Sequence, residues 1–273
     1  MLIHQLFELQ KNKTPDAIAV IFRNRELTYA ELCQKADNLA AAIVAASPES
    51  LNAGVSTHRA VETIISVLAI LKSGKAYLPL DPEYPRERLQ QIVTDSKIDL
   101  CLSLSAQKDL FEPLGVKVLT SDTEYPKNTS TIAESRSACY VLYTSGSTGT
   151  PKGVSMGHAA LANLLQWQQK ESISAPGINT LQFAPLTFDV SFQEIFATLT
   201  TGGTLVLVDE DIRVDPSRLL RYISDYSVNR IFLPFVVLQY LTEAADAEKY
   251  FPACIKEIMT AGEQLKVTPQ VVR

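Results

Sequence analysis

The chain has 273 residues, 46% of them hydrophobic and 20% charged, with a formal net charge of −5. That length can bury a large core as one domain or two, and the mild acidity, with no basic run, gives no general attraction to nucleic acid or anionic membranes. No apolar stretch reaches a bilayer span, and Met1-Leu2-Ile3-His4-Gln5 lacks the charged-then-apolar order of a signal peptide, so a cytoplasmic setting is the default.

In chain order, Thr28 and Glu31 form a capping-box pattern, and Leu32, Ala36, Leu39 and Ile43 then recur at helical spacing through the first helix. A second helix is expected from about Val61 to Ser73, with Gly74 as its stop. Strand-like runs follow at Ala76–Leu80, Leu100–Leu104, Val116–Leu119 and Ala138–Tyr143. Further runs lie at Thr180–Phe183, Thr204–Val208, Arg230–Leu233 and Glu257–Thr260, with helical patterns between several of them. This alternation implies an α/β fold, parallel sheets covered by helices on both faces. The polar, Ser- and Thr-rich segment 120–137 carries Pro126 and no apolar periodicity, and is expected as a surface connection dividing two α/β halves.

Cys33, Cys101, Cys139 and Cys254 lie far apart without metal-ligand spacing and read as small buried hydrophobes. His4, His58 and His158 are similarly isolated, so neither a metal site nor a catalytic triad is expected.

The stretch Tyr143-Thr144-Ser145-Gly146-Ser147-Thr148-Gly149-Thr150-Pro151-Lys152-Gly153 follows an apolar strand. Its glycines let the backbone approach a ligand, its hydroxyls add donors without bulk, and Lys152 supplies a point charge suited to phosphate. It fails the P-loop pattern, because Pro151 precedes the lysine and Gly153 follows it. The alternative is an ordinary Ser/Gly/Thr surface loop. A dinucleotide fold fits less well, since no Gly-x-Gly-x-x-Gly sits at a strand-to-helix turn.

Residue for residue, this loop resembles the signature loop of adenylate-forming enzymes. Leu27–Leu32, Leu71–Pro85 and Phe188–Phe196 are similar to successive core motifs of the adenylation domains of nonribosomal peptide synthetases, in that family's order. The resemblance runs to Thr260-Ala261-Gly262-Glu263-Gln264-Leu265. It implies two packed α/β subdomains over 1–273, the N-terminal core of such a domain, with the division near 120–137. It also implies that Thr144, Ser145, Gly146, Ser147, Thr148, Gly149 and Lys152 hold the ATP phosphates, bridged by Mg²⁺.

In the same family the aspartate matching Asp189 anchors the substrate α-ammonium, a pairing favoured for a partly desolvated carboxylate. Taken alone, Asp189 would equally cap a helix beginning near Val190. Val190, Gln193, Phe232, Met259 and Ala261 match the substrate-lining positions, in a pattern similar to proline-activating domains; ordinary core packing is the alternative for all five. A carrier domain bearing phosphopantetheine, and other synthetase modules, are the implied partners. The family's catalytic lysine and small lid domain match nothing here, so this polypeptide alone is expected to be incomplete or inactive. Two other readings are an acyl- or aryl-acid ligase, which needs no ammonium anchor, and a non-enzymatic nucleotide- or partner-binding module.

Overall fold

The computed structural model describes residues 1–127, 138–145 and 151–272. The first half runs α1 (Ile3–Lys13), β1 (Ile18–Phe22), β2 (Arg25–Thr28), α2 (Tyr29–Ala46), β3 (Asn52–Ser56) and α3 (Val61–Lys72). It continues with β4 (Ala76–Leu80), α4 (Arg86–Ser96), β5 (Leu100–Ser103), α5 (Lys108–Phe111) and β6 (Lys117–Thr120). After these come β7 (Ala138–Ser145), β8 (Pro151–Gly157), α6 (His158–Glu171), β9 (Asn179–Gln182), α7 (Asp189–Leu199) and β10 (Thr204–Leu207). The last elements are α8 (Glu210–Arg213), α9 (Pro216–Asp225), β11 (Arg230–Phe232), α10 (Phe235–Glu248), β12 (Glu257–Met259) and α11 (Pro269–Val272).

The expected α/β architecture is present as two six-stranded sheets, ordered β12-β11-β9-β10-β1-β2 and β6-β5-β3-β4-β7-β8. Pairing is parallel except at one edge of each, where β1–β2 and β7–β8 are antiparallel. The sheets are not consecutive halves of the chain. β1 pairs with β10, so the N-terminal hairpin completes the sheet built mostly from the later residues. The segment around 120–137 joins β6 to β7 of the same sheet, and 128–137 lie outside the described residues.

Local chemistry accounts for the elements. Thr28 Oγ1 accepts from Glu31 N while the Glu31 carboxylate accepts from Thr28 N at 2.8 Å, so the anticipated capping box closes the start of α2. This helix is the second, because α1 precedes it with Ile3 and Phe7 fully buried. The helix α3 is buried nearly all round, which a helix sandwiched by other elements requires. Its Lys72 is buried too, and is held by Glu8 and, at 2.9 Å, by Asp37. Gly74 takes φ 81° just past the helix end.

An aromatic cluster fastens α7 to the other sheet. Phe192 stacks parallel on Tyr77 of β4 at 6.0 Å and tilts against Tyr140 of β7 at 5.3 Å, with Phe196 4.4 Å behind it. These pairs fix the helix that carries Asp189 relative to the strand that leads into the Ser/Thr/Gly loop.

Candidate functional site

Thr144 and Lys152 are direct partners across the β7–β8 hairpin, both exposed. A strand pair thus places the lysine beside the hydroxyl, with no helix at the loop's end, since α6 begins only at His158. Ser145 pairs with Pro151 through its backbone. The Ser145 side chain and Gly146, Ser147, Thr148 and Gly149 lie outside the described residues. The hairpin stem is braced by the Tyr143 hydroxyl, which donates to Asp95 of α4 at 2.5 Å.

Asp189 is the first residue of α7, and its N-cap is Phe188, which makes no side-chain capping bond. The capping alternative is therefore not what the structure shows. Asp189 is exposed, and its side chain makes no hydrogen bond or ion pair among the described residues. A carboxylate in the first turn is favoured by the helix dipole. Its charge acts on two neighbours: burial first, and then Asp189, raises the Tyr140 hydroxyl above its ordinary range, and Tyr77 is raised in the same sense.

Val190 and Gln193 are half-buried and three apart, on one face of α7. Phe232 is buried and is the strand partner of half-buried Met259, whereas Ala261 is exposed past the end of β12. Among these wall positions the structure thus brings Phe232 and Met259 together directly.

Sequence reasoning missed three participants. Gln168 on α6 is fully buried, with its amide nitrogen 3.2 Å from Met259 Sδ and its carbonyl oxygen without a partner among the described residues. Glu194, also fully buried, accepts from the backbone N–H groups of Phe183 and Ala184 at 3.2 and 3.1 Å and from Gln182 Nε2 at 3.0 Å. Burial pushes its carboxyl up to about 8, against the pull of those donors and of Arg59. Arg59, after β3, donates to the carbonyls of Gln182 and Phe183 at 3.0 and 2.7 Å and to Glu210 at 3.0 Å. A usable signal existed for Glu194 alone, a single carboxylate among Phe192, Ile195, Phe196 and Leu199.

A cavity of about 580 Å³ opens beyond the carboxyl ends of β3, β4, β9 and β10, where Thr57, Asp81, Gln182 and Asp209 line it. Its arginines are paired, Arg23 with Asp209 and Arg59 and Arg213 with Glu210. None of the expected substrate residues lines it, but Pro185 and Leu186, in the loop leading to Asp189, do. Among the described residues no cluster of three or more His, Cys, Asp or Glu side chains is arranged to hold a metal, and no helix is long and apolar enough to cross a membrane.

Known proteins are similar to this chain in sequence and fold. Residues 7–271 match the family model described as AMP-binding enzyme. The chain is 35% identical over 282 residues to tyrocidine synthase 2 of Brevibacillus parabrevis, covering 98% of this chain and 8% of that protein. It is 33% identical over 272 residues to bacitracin synthase 1 of Bacillus licheniformis, covering 97% of this chain and 5% of that protein. Among solved structures, the nonribosomal peptide synthetase FmoA3 superposes with a TM-score of 0.90 at 28% identity, over 97% of this chain and 29% of that one. A form of the same protein bound to AMPPNP gives 0.88. The chain thus spans a small part of each relative. It belongs to the AMP-binding enzyme family, as a stretch matching part of a nonribosomal peptide synthetase adenylation domain.

Proposed function

We propose that this stretch binds ATP and an amino acid for the formation of an aminoacyl adenylate and pyrophosphate. The observation that carries the reading is the placement of Asp189, exposed in the first turn of α7 without a capping bond, on the helix whose Phe192 packs against Tyr140 of the strand that enters the Ser/Thr/Gly loop. Such a carboxylate suits an α-ammonium group. FmoA3 has been solved in a form bound to alpha-methyl-L-serine-AMP, itself an aminoacyl adenylate.

In this reading Thr144, Ser145, Gly146, Ser147, Thr148 and Gly149 hold the β- and γ-phosphates, and Lys152 offsets their charge. Bringing a carboxylate to a phosphate opposes two anions, so positioning and screening matter more than a protein nucleophile. Mg²⁺ would add charge screening there; among the described residues no cluster of His, Cys, Asp or Glu is arranged to hold it, which suits an ion that needs few protein donors. Val190, Gln193, Phe232, Met259 and Ala261 frame the substrate side chain, and L-proline is the first candidate. A phosphopantetheine thiol on a carrier domain of a cytoplasmic synthetase would then take the aminoacyl group, with AMP as the leaving group.

Amino-acid-dependent exchange of pyrophosphate into ATP tests this reading. It is run on the chain alone and on the chain joined to the region following the matched stretch in tyrocidine synthase 2. Exchange is expected in the joined protein and not in the chain alone, since the catalytic lysine of the family matches no residue here. Absence of exchange with every proteinogenic amino acid in a folded, ATP-binding joined protein would overturn the reading.

A further inference from the structure

We propose that Glu194 and Arg59 are positioning residues that clamp the turn Gln182–Ala184 from its two sides and so set where Asp189 stands relative to the phosphate hairpin. The inference rests on the reading of Asp189 as the ammonium anchor. Glu194 takes the N–H groups of Phe183 and Ala184, and Arg59 takes the carbonyls of Gln182 and Phe183. Consecutive peptide units are thereby held on both their donor and acceptor edges.

The short path from this clamp to the anchor has little freedom. Pro185 fixes its own φ, Phe188 N bonds back to Pro185 O at 3.0 Å, and Ser191 Oγ donates to Phe188 O at 2.6 Å. Asp189 follows, and the helix it opens returns to the clamp at Glu194. The anchor therefore belongs to a ring closed covalently through α7 and by hydrogen bonds at Phe183 and Ala184.

Arg59 ties this ring to the other sheet. It follows β3, and β3 and β7 both flank β4, whereas Gln182 ends β9 of the opposite sheet. One arginine thus registers the sheet that carries Asp189 against the sheet that carries Thr144 and Lys152. A misplacement of about 1 Å between reacting partners is enough to cost roughly 100-fold.

Among the described residues, every hydrogen-bond partner of the Glu194 carboxylate is a donor, and Ala184 N lies 3.1 Å from both its oxygens. In Glu194→Gln the new NH₂ must face one of those donors whichever way the amide turns, at almost unchanged volume. The experiment, run at about pH 9 where the Glu194 carboxyl is ionised, is equilibrium binding to the 273-residue chain of ATP, of the proteinogenic amino acids beginning with L-proline, and of the des-amino acid of the tightest binder, cyclopentanecarboxylate in the case of proline.

The expected result is a folded Glu194→Gln protein that keeps its ATP affinity within about twofold. Its preference for the amino acid over the des-amino acid falls by about tenfold or more. A merely structural role would weaken all three ligands together, and that result overturns the proposal. If Glu194→Gln lacks the native circular dichroism spectrum, Arg59→Lys carries the same readout, since it keeps the charge but loses the planar fork. A wild-type preference retained in the variant overturns the clamp and leaves the anchor standing. An unsubstituted chain that never distinguishes an amino acid from its des-amino acid overturns the anchor, and the clamp with it.

Discussion

Phe232 and Met259 sit directly opposite one another on β11 and β12, and Leu233 N extends the ladder by donating to Met259 O at 2.9 Å. Phe232 is 4% exposed and packs within 5.3 Å of the buried Arg230 guanidinium, so its ring belongs to the core as well as to the proposed pocket wall. Phe232→Ala is therefore expected to lower stability by about 3 kcal/mol or more. Half-buried Met259 tolerates a similar-sized apolar residue, and Met259→Ile should lower it by less than about 1.5 kcal/mol. Urea unfolding of the two variants checks the contrast; equal losses would place both residues in the same environment.

Asp189→Ala separates an anchor from a cap. The side chain makes no capping bond, so the fold loses only a favourable dipole interaction, about 0.3–1 kcal/mol. Amino-acid binding should fall sharply, while ATP binding stays. Calorimetric titration with both ligands, beside a urea melt, measures all three. Full amino-acid binding by the variant would instead favour activation of a carboxylic acid that lacks an ammonium group.

The sequence pattern located most strands well, because β4 and the runs ending in Phe183, Val208 and Leu233 are apolar between clear breakers. It missed β8, whose residues Pro151, Gly153 and Gly157 disfavour a strand and which forms because β7 offers a partner. It missed β3 for a similar reason: Gly54 disfavours a strand, and it lies close against the Leu80 side chain, 2.9 Å from where a Cβ would stand. Pairing of β1 with β10 joins residues 185 positions apart, such as Val20 and Leu205, which no local periodicity encodes. In the candidate site, Thr144, Lys152 and Asp189 stand out in the sequence by residue type and motif, and their roles remain proposals. Arg59 and Gln168 do not stand out, since their importance comes from what folds against them.

Acid should destabilise the N-terminal helix. His4 is buried in α1, 6.1 Å from the ring of His158, and burial lowers its pKa to about 4 from the ordinary 6.5. Burial lowers His158 as well. The unfolded chain thus binds the proton more readily than the folded one. The contribution of His4 is fully present above about 6.5 and lost as pH falls toward 4, a total of about 3 kcal/mol. Glu194, raised to about 8, acts in the opposite sense, losing stability as pH rises from 4.5 to 8, so the test compares proteins at each pH. Between pH 7 and 5, His4→Gln should lose about 2 kcal/mol less than the unsubstituted chain in urea unfolding. Identical losses would show that His4 is not held neutral by the fold.

Gln168 makes the opposite prediction from most core substitutions, a gain. Its side chain is fully buried and, among the described residues, its amide nitrogen meets only the weakly accepting Met259 sulfur and its carbonyl oxygen has no partner. Burying a carboxamide with so little of its bonding capacity used costs about 1–3 kcal/mol, whereas leucine at the same position carries no such penalty and fills a similar volume. Gln168→Leu should therefore raise stability by about 1 kcal/mol, or the melting temperature by about 2 °C for a chain of this size. Differential scanning calorimetry decides the matter. A fall of several degrees would mean that the carboxamide is satisfied in solution by an ordered water, which leucine displaces without replacing its bonds.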